Sequence, residues 1–365
     1  MRERERIPSG CAVAGILSRN GRPIGGETII QAMRVMHERS NGLGGGFAGY
    51  GIYPDFAELY AFHLLYDSPE RADDVERALR KNFVVEHKEP IPFWEHSPIT
   101  DHPDFVRYFL RPRESIEEEE LVVQTVMAIN AQIDGAYVVS SGKNMGVFKG
   151  VGYPEDIGEF FRLEEYQGYC WIAHGRFPTN SVGWWGGAHP FNLLNFSVVH
   201  NGELSSYGIN RRYLENFGYF CTLQTDTEVI AYLLDLLLRR HGVPPEALGA
   251  IFASPFWSQI EAMEEPRRSF YRAIRMTYGG ALLNGPFSII VGFEGGMLGL
   301  VDRIKLRPMV AGWGEDIFYL ASEESAIREV TSDLSQVRAL RAGEVVMETL
   351  KEGVYHGQEF VVSRI

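Results

Sequence analysis

Short apolar runs separated by turn residues, rather than evenly alternating strands and helices, most constrain how this chain can fold. Phe287–Phe293 and Met297–Val301 flank a Glu-Gly-Gly turn and are predicted to form a β-hairpin. Another strand is predicted at Cys11–Leu17 and a long helix at about Asp226–Arg240. Strands and helices that do not alternate strictly favour an α+β fold over a doubly wound parallel sheet.

The composition argues against several classes of partner. A formal net charge of −13 over 365 residues disfavours nucleic acid, which requires a basic face. No apolar run approaches the ~18 residues of a membrane span, and the charged N-terminus lacks the apolar stretch of a signal peptide. The three cysteines, Cys11, Cys170 and Cys221, form no CxxC pair, so neither zinc nor an iron–sulfur cluster is indicated. We therefore expect a cytoplasmic protein without metal or disulfide.

Two segments have a predicted structure but no predicted chemistry. Residues from about 66 to 150 are interpreted as a mixed, partly helical insertion, in which Ser115-x-x-Glu118 forms a capping box before an apolar run. Gly44-x-Gly46-x-x-Gly49 matches the dinucleotide fingerprint, but it does not lie between a strand and a helix. Flexible glycine turns are the better explanation of that run.

Four polar positions are candidates for chemistry. Cys11 stands directly behind a short polar leader, and His174–Asn180 (HGRFPTN) follows an apolar strand. His200–Glu203 (HNGE) follows another strand, and Gln224–Glu228 (QTDTE) begins the long helix, where Thr225-x-x-Glu228 forms a capping box. Each has an ordinary explanation alone, as a buried thiol, a surface arginine, an Asn-Gly turn or a helix cap. Their occurrence together and in this order is harder to explain by structure alone.

In order and context these segments resemble the class II glutamine amidotransferases of the N-terminal-nucleophile hydrolase superfamily. The matching segments are Cys11, GRFPTNS at Gly175–Ser181, HNGEL at His200–Leu204 and TDTEVI at Thr225–Ile230, with weaker likeness at Val301–Pro308 and Leu320–Glu323. The family commonly has glycine after the nucleophile, where this chain has Ala12. The resemblance implies a four-layer α/β/β/α sandwich with mostly antiparallel sheets.

The resemblance also implies how the nucleophile would be generated. Residues 1–10 would be a propeptide that is cleaved, and residues 11–365 would form one amidotransferase domain with the insertion inside it. Cys11 would then open the chain and carry its own base. A free thiol has a pKa near ~8.5 and an α-amino group near ~7.7–8.0, so the two are matched for proton transfer. His174 and His200 would then be structural.

Four further residues take roles from the resemblance. The side-chain amide of Asn201 and the backbone N–H of Gly202 would stabilise the oxyanion of the tetrahedral intermediate. Arg176 would bind the α-carboxylate of L-glutamine, because its guanidinium fork suits a carboxylate. Asp226 would bind the α-ammonium group.

The acceptor of the ammonia is predicted from smaller features. Trp184–Phe191 (WWGGAHPF) resembles the W-x-x-AHPF of glutamate synthases, and the long stretch between Cys11 and Arg176 also suits that group. No acidic-pair phosphoribosyl-pyrophosphate motif occurs in the C-terminal part, which argues against amidophosphoribosyltransferase. We expect a glutaminase subunit without cofactor that feeds a separate synthase chain containing FMN and iron–sulfur. Trp184 and Trp185 could form a lid or a partner surface.

Other interpretations stay open. The chain could serve a different acceptor, as an N-methylglutamate-synthase-like or amidophosphoribosyltransferase-like subunit. It could also be a catalytically idle scaffold that binds glutamine without turnover.

Overall fold

The computed structural model of the protein describes residues 10–114, 117–177 and 183–351. The helices in these ranges are α1 (Gly26–Arg34), α2 (Arg71–Asn82), α3 (Glu118–Gln132), α4 (Pro154–Phe160), α5 (Tyr207–Glu215), α6 (Asp226–Leu234), α7 (Leu248–Phe252), α8 (Trp257–Glu261), α9 (Arg267–Thr277) and α10 (Glu324–Val330). The strands are β1 (Ala12–Ser18), β2 (Ile24–Gly25), β3 (Gly45–Tyr50), β4 (Tyr60–Tyr66), β5 (Phe83–Pro90), β6 (Asp104–Pro112), β7 (Ala136–Ser140), β8 (Met145–Gly150), β9 (Gln167–Gly168), β10 (Cys170–Gly175), β11 (Phe191–Leu193), β12 (Phe196–Gly202), β13 (Phe287–Phe293), β14 (Gly296–Val301), β15 (Val310–Trp313), β16 (Ile317–Ala321), β17 (Gln336–Ala339) and β18 (Val345–Thr349).

Two antiparallel sheets lie face to face and form the centre of the molecule. The first has seven strands in the order β17-β15-β16-β1-β10-β3-β8, and the second has five in the order β11-β12-β13-β14-β18. Apolar side chains fill the space between them, because alternate residues of each strand point to the same face. These side chains include Val13, Leu17, Ala48, Ile172, Val199, Ile290, Met297 and Val301.

Helices cover the outer face of each sheet. Side chains of α1, α4 and α10 share a core with the outward residues of β1, such as Ala14 and Ile16. Side chains of α5 and α6 pack on the other sheet, against residues such as Val198 and Ile289. The order of layers is therefore helix, sheet, sheet, helix. This confirms the predicted α+β fold of four α/β/β/α layers with mostly antiparallel sheets.

A third sheet is built from the part of the sequence interpreted as an insertion. Its four strands have the order β5-β6-β4-β7, and α2 and α3 lie in the same segment. β4 begins at Tyr60, before this part of the sequence, and β8, at its C-terminal end, belongs to the seven-stranded sheet rather than to the third sheet. Within the described ranges, no helix is long and apolar enough to cross a membrane.

The capping box predicted at Ser115-x-x-Glu118 is not observed: α3 begins at Glu118 with Glu117 as its N-cap, and Ser115 lies outside the described residues. The predictions for the hairpin and for α6 are confirmed with one correction. β13 and β14 form the predicted hairpin, and α6 continues through a π-helical turn to Arg240. The hydroxyl of Thr225 accepts the Glu228 N–H at 3.1 Å, as an N-cap should. The predicted capping box is wrong in its second half. The Glu228 carboxylate accepts the N–H groups of Thr222 and Leu223 instead of that of Thr225.

The glycine-rich run contains a central strand rather than only turns. β3 pairs with both β10 and β8 in the seven-stranded sheet. A Cβ at Gly46 would lie 2.3 Å from the His189 carbonyl oxygen, and one at Gly49 would lie 2.6 Å from the Trp171 ring. These glycines therefore allow close packing across the strand, and the match to a nucleotide fingerprint has no structural counterpart here.

Candidate active site

Cys11 lies at the entrance to β1, the middle strand of the seven-stranded sheet. Its sulfur accepts the backbone N–H of Phe177 at 3.4 Å, because β1 and β10 are antiparallel neighbours and Phe177 lies just past the end of β10. Burial raises the pKa of the Cys11 thiol, and the Phe177 N–H and the positive charges of Arg176 and Arg307 offset this only in part. The thiol is therefore protonated near neutral pH, and a nucleophilic role requires a base.

Ala12 stands where the resembling family commonly has glycine, and the structure accommodates its methyl group. Ala12 is buried and pairs with Gly175 in the sheet register. A Cβ at Gly175 would lie 3.5 Å from that of Ala12 and 2.8 Å from Pro154 Cγ. Because Gly175 has no side chain, the methyl group fits without displacing the strand.

Arg176 is fixed at the same end of the sheet. Its backbone N–H donates to the Gly44 carbonyl at 2.8 Å, and its carbonyl accepts the Asn41 N–H at 3.1 Å. The aliphatic part of the side chain packs on Gly44, where a Cβ would lie 3.1 Å from Arg176 Cδ. Burial lowers the pKa of Arg176, while the nearby Cys11 and Asp226 act in the opposite direction.

Asn201 and Gly202 end β12 in the facing sheet and approach Cys11 from the other side. A Cβ built on Gly10 would lie 3.7 Å from Asn201 Oδ1, which places the amide beside the Gly10–Cys11 peptide bond. Asn201 is fully buried, and neither of its side-chain amide atoms has a hydrogen-bond partner in the described part of the chain. Gly202 has φ +147°, and a Cβ there would lie 1.9 Å from the Pro286 carbonyl oxygen, so only glycine fits.

Asp226 is the first residue of α6 and faces the same region. Its carboxylate accepts the Leu204 N–H at 2.9 Å and the Thr227 hydroxyl at 3.3 Å, and it lies 3.5 Å from His200 Nδ1. Burial favours the neutral acid, but the neighbouring His200 and these hydrogen bonds hold the pKa of Asp226 below its ordinary value. The group is therefore a carboxylate at neutral pH and can bind a cation.

Three buried histidines lie behind these residues. His174 donates to the His200 carbonyl at 3.0 Å and stacks on His189, with ring centroids 3.9 Å apart. Burial lowers the pKa of His174 to about 3, so its ring is neutral at physiological pH. Since the described contact to the Cys11 sulfur is the Phe177 N–H, these rings act as links between β10, β12 and α6. In the described residues, no group of three or more His, Cys, Asp or Glu side chains could hold a metal ion.

Two arginines at the site were not selected from the sequence. Arg39 Nε lies 3.5 Å from the Cys11 carbonyl oxygen, and Arg307 Nη1 lies 3.3 Å from a Cβ built on Gly10. Arg307 lies in Val301–Pro308, a segment that resembles the family, but the sequence did not indicate a role for this residue. Arg39 follows α1 in a 3-10 turn, and nothing in its sequence context indicated a site.

The tryptophan pair ahead of β11 packs against the third sheet. Trp184 lies 5.4 Å from the Tyr137 ring, and Trp185 lies 5.2 Å from the Phe105 ring, centroid to centroid. Trp185 Nε1 also donates to the Asp101 carbonyl at 3.1 Å. Both rings therefore anchor the segment that precedes β11 to the third sheet. Pro178–Ser181 of the predicted GRFPTNS segment and residues 1–9 of the predicted leader lie outside the described residues.

Comparison with known proteins supports the family that the sequence motifs resemble. A family model for class II glutamine amidotransferases matches residues 104–363, a range that includes Arg176, Asn201, Gly202 and Asp226. An uncharacterized protein of Archaeoglobus fulgidus is 52% identical over 93% of this chain and 92% of its own length.

Two further comparisons concern longer proteins. An amidophosphoribosyltransferase of Methanocaldococcus jannaschii is 26% identical over 63% of this chain, and the match spans 44% of the relative. The structure of a glutamine phosphoribosylpyrophosphate amidotransferase from B. subtilis aligns with 94% of this chain and 50% of its own, at 15% identity and a TM-score of 0.45. This chain thus spans about half the length of these two proteins.

Proposed function

The chain belongs to the class II glutamine amidotransferases, and we propose that it hydrolyses L-glutamine to glutamate and ammonia through a thioester on Cys11. The ammonia would pass to a separate synthase subunit of a glutamate-synthase-like complex. Cys11 is the nucleophile, Asn201 and Gly202 stabilise the oxyanion, and Arg176 and Asp226 hold the substrate.

The observation that carries this proposal is the buried, unpartnered amide of Asn201 beside Cys11. A buried polar group without a partner costs on the order of 1–3 kcal/mol, so such groups are usually satisfied. Both amide atoms of Asn201 lack a partner in the described part of the chain, and the Gly10–Cys11 junction is next to them. An amide N–H that is buried without a partner is available to stabilise a negative charge that develops only during the reaction.

The state of the thiol supports removal of residues 1–10. Because burial keeps the Cys11 thiol protonated, a base must take its proton before it attacks the glutamine amide. His174 contacts the His200 carbonyl rather than the sulfur. The α-amino group that cleavage after Gly10 would create lies on Cys11 itself, within reach of its own sulfur.

The charges near Cys11 match the two ends of an amino acid. Arg176 supplies a guanidinium for the α-carboxylate, and the ionised Asp226 supplies a counter-charge for the α-ammonium group. Cys11 and Arg176 each affect the other's pKa and Asp226 affects both, which supports a close arrangement of the three groups. Glutamine carries both of these charges together with the side-chain amide that Cys11 would attack.

The acceptor is proposed from the sequence. The WWGGAHPF segment and the absence of a phosphoribosyl-pyrophosphate motif favour a glutamate-synthase-like partner over amidophosphoribosyltransferase chemistry. The match to the M. jannaschii amidophosphoribosyltransferase spans less than half of that protein, so its acceptor activity does not transfer with the matched region. The FMN and iron–sulfur chemistry would belong to the partner, and this chain would bind neither.

The test is an intact-mass measurement followed by a glutaminase assay on the same sample. We expect a mass that lacks residues 1–10 and the release of glutamate from glutamine. A processed chain that binds glutamine without turnover would instead favour the scaffold interpretation. Turnover by a chain that still carries its leader would contradict the α-amino mechanism.

The acceptor is tested separately with amide-labelled glutamine and candidate synthase chains. Transfer of the label to 2-oxoglutarate by an FMN and iron–sulfur chain would support the glutamate-synthase-like complex. Transfer to phosphoribosyl pyrophosphate or to methylamine-derived products would assign a different acceptor while leaving the glutaminase proposal intact.

A further inference from the structure

Two guanidinium groups lie beside the bond between Gly10 and Cys11. A Cβ built on Gly10 would lie 3.3 Å from Arg307 Nη1 and 3.6 Å from Arg39 Nη2. The backbone nitrogen of Cys11 is bonded directly to Gly10, so both cations lie close to the atom that becomes the α-amino group after cleavage.

The charge of Arg39 is compensated, whereas that of Arg307 is not. Arg39 Nη1 forms an ion pair with Glu323 at 2.8 Å. Arg307 forms no ion pair in the described part of the chain, and its buried Nε has no hydrogen-bond partner there. An isolated guanidinium in a half-buried position exerts a stronger field than one paired with a carboxylate.

Arg307 is held in place by the loop between β14 and β15. The carboxylate of Asp302, which is 1% exposed, accepts four backbone N–H groups. These donors are Phe287 at 3.2 Å, Ile304 at 3.0 Å, Leu306 at 2.8 Å and Arg307 at 3.4 Å. The loop therefore fixes the backbone from which the Arg307 side chain reaches the site.

The other charged groups near the junction come from four places in the chain. Arg39 and its partner Glu323 lie on the outer side, Arg176 follows β10, and Asp226 begins α6. In the proposed complex, Arg176 and Asp226 are matched to the two charges of glutamine. Among the described residues, Arg307 then remains as the positive charge without an ion-pair partner next to the Cys11 nitrogen.

We propose that Arg307 keeps the α-amino group of processed Cys11 in its unprotonated form, the form that can accept the thiol proton. The inference rests on the proposed function, in which Cys11 becomes the N-terminal residue. In the reaction the S–H bond breaks, an N–H bond forms and the thiolate attacks the glutamine amide carbon. Because the resulting ammonium lies beside a like charge, it readily returns its proton to the amide nitrogen, which leaves as ammonia when the C–N bond breaks. Arg307 is thus a positioning residue that acts through the α-amino group.

The experiment compares the pH dependence of kcat/KM for wild type, Arg307→Gln, Arg307→Lys and Lys305→Gln. A like charge within about 4–6 Å shifts a pKa by roughly 1 unit or more. The acid limb of Arg307→Gln should therefore move up by about one pH unit, with a loss of up to about tenfold near pH 7 that disappears at high pH. Arg307→Lys keeps the positive charge, so the acid limb of its kcat/KM profile should stay at the wild-type pH. Lys305→Gln removes a positive charge from an exposed position of the same loop, and its acid limb should also stay at the wild-type pH.

A second measurement titrates the α-amino group directly. Competitive acylation of the processed N-terminus, followed by mass spectrometry over a range of pH, should show the same upward shift for Arg307→Gln and none for Lys305→Gln. This readout does not require turnover.

The outcomes separate this inference from the proposed function. If Arg307→Gln lost the same fraction of kcat/KM at every pH and its acylation profile did not move, the inference would be overturned and the role of Arg307 would be purely structural. A processed wild-type protein without glutaminase activity would refute the proposed function, while the acylation profile would still decide the role of Arg307. Activity that needs no cleavage would overturn both.

Discussion

Replacing Asn201 by alanine should separate catalysis from stability. Because neither amide atom of Asn201 has a hydrogen-bond partner in the described residues, the substitution breaks no hydrogen bond within that part of the chain. We therefore expect the free energy of unfolding to change by less than about 1 kcal/mol, since a typical internal hydrogen bond contributes about that much. Loss of an oxyanion donor, in contrast, costs about 10²–10³ in kcat, or about 2.7–4 kcal/mol of transition-state stabilisation.

Asn210 provides a matched control. It is also fully buried, but its side-chain amide donates to the carbonyls of Gly280 at 2.7 Å and Leu282 at 3.0 Å. Asn210→Ala leaves both carbonyls unpaired and should destabilise the protein by on the order of 1–3 kcal/mol. Its kcat at a temperature well below the unfolding transition should stay close to that of wild type.

The assay combines steady-state glutamine hydrolysis with denaturant unfolding of the same two variants. The expected result is a low kcat with normal stability for Asn201→Ala, and a normal kcat with low stability for Asn210→Ala. A loss of less than about tenfold in kcat for Asn201→Ala would refute its role as an oxyanion donor. A large loss of stability in that variant would show that its amide has a structural partner.

Three other substitutions have defined outcomes. Cys11→Ala should abolish glutamine hydrolysis and leave thermal unfolding nearly unchanged, and residual turnover would point to another nucleophile. Asp226→Asn should raise the KM for glutamine with a smaller effect on kcat, and an unchanged KM would contradict its role. The pKa of Asp226 is depressed in the folded protein, so its contribution to stability is present above about pH 4 and lost as the pH falls through the folded pKa. The stability difference between wild type and Asp226→Asn, measured by denaturant unfolding, should therefore shrink in acid. Gly202→Ala should prevent stable folding or shift β12, because its Cβ would lie 1.9 Å from the Pro286 carbonyl oxygen, and a stable, active variant measured by unfolding and assay would refute this.

The local elements could be predicted because short-range rules determine them. The β13–β14 hairpin and the β1 strand follow from short apolar runs and the turn residues that bound them. The start of α6 follows from the hydroxyl of Thr225, three residues from the N–H that it caps. The predicted hydrogen bond from the Thr225 N–H to Glu228 is wrong because the Glu228 carboxylate accepts N–H groups of the preceding loop instead. Local spacing does not specify these donors.

The four-layer arrangement was predicted by family resemblance rather than by residue pattern. The strands of the seven-stranded sheet come from distant parts of the chain, with β1 between β10 and β16. Hydrophobic alternation does not determine which strands pair, because the same pattern suits several neighbours. The segments that resembled a known family supplied that missing long-range information.

The sequence by itself determined the residue types at the site and their likeness to a family. It placed a thiol behind a short leader, an arginine after one strand, an Asn-Gly pair after another and an aspartate at a helix start. These features depend on neighbours along the chain, so they are visible in the order of residues.

Only the tertiary structure decided the electrostatics of the site. The raised pKa of the Cys11 thiol depends on its burial in the fold. The burial of the Asn201 amide, which has no partner in the described residues, and the approach of Arg307 to the Gly10–Cys11 bond depend on strands and loops that are far apart in sequence. Burial and Coulomb interactions follow distances in space, and these exist only once the two sheets have packed against each other.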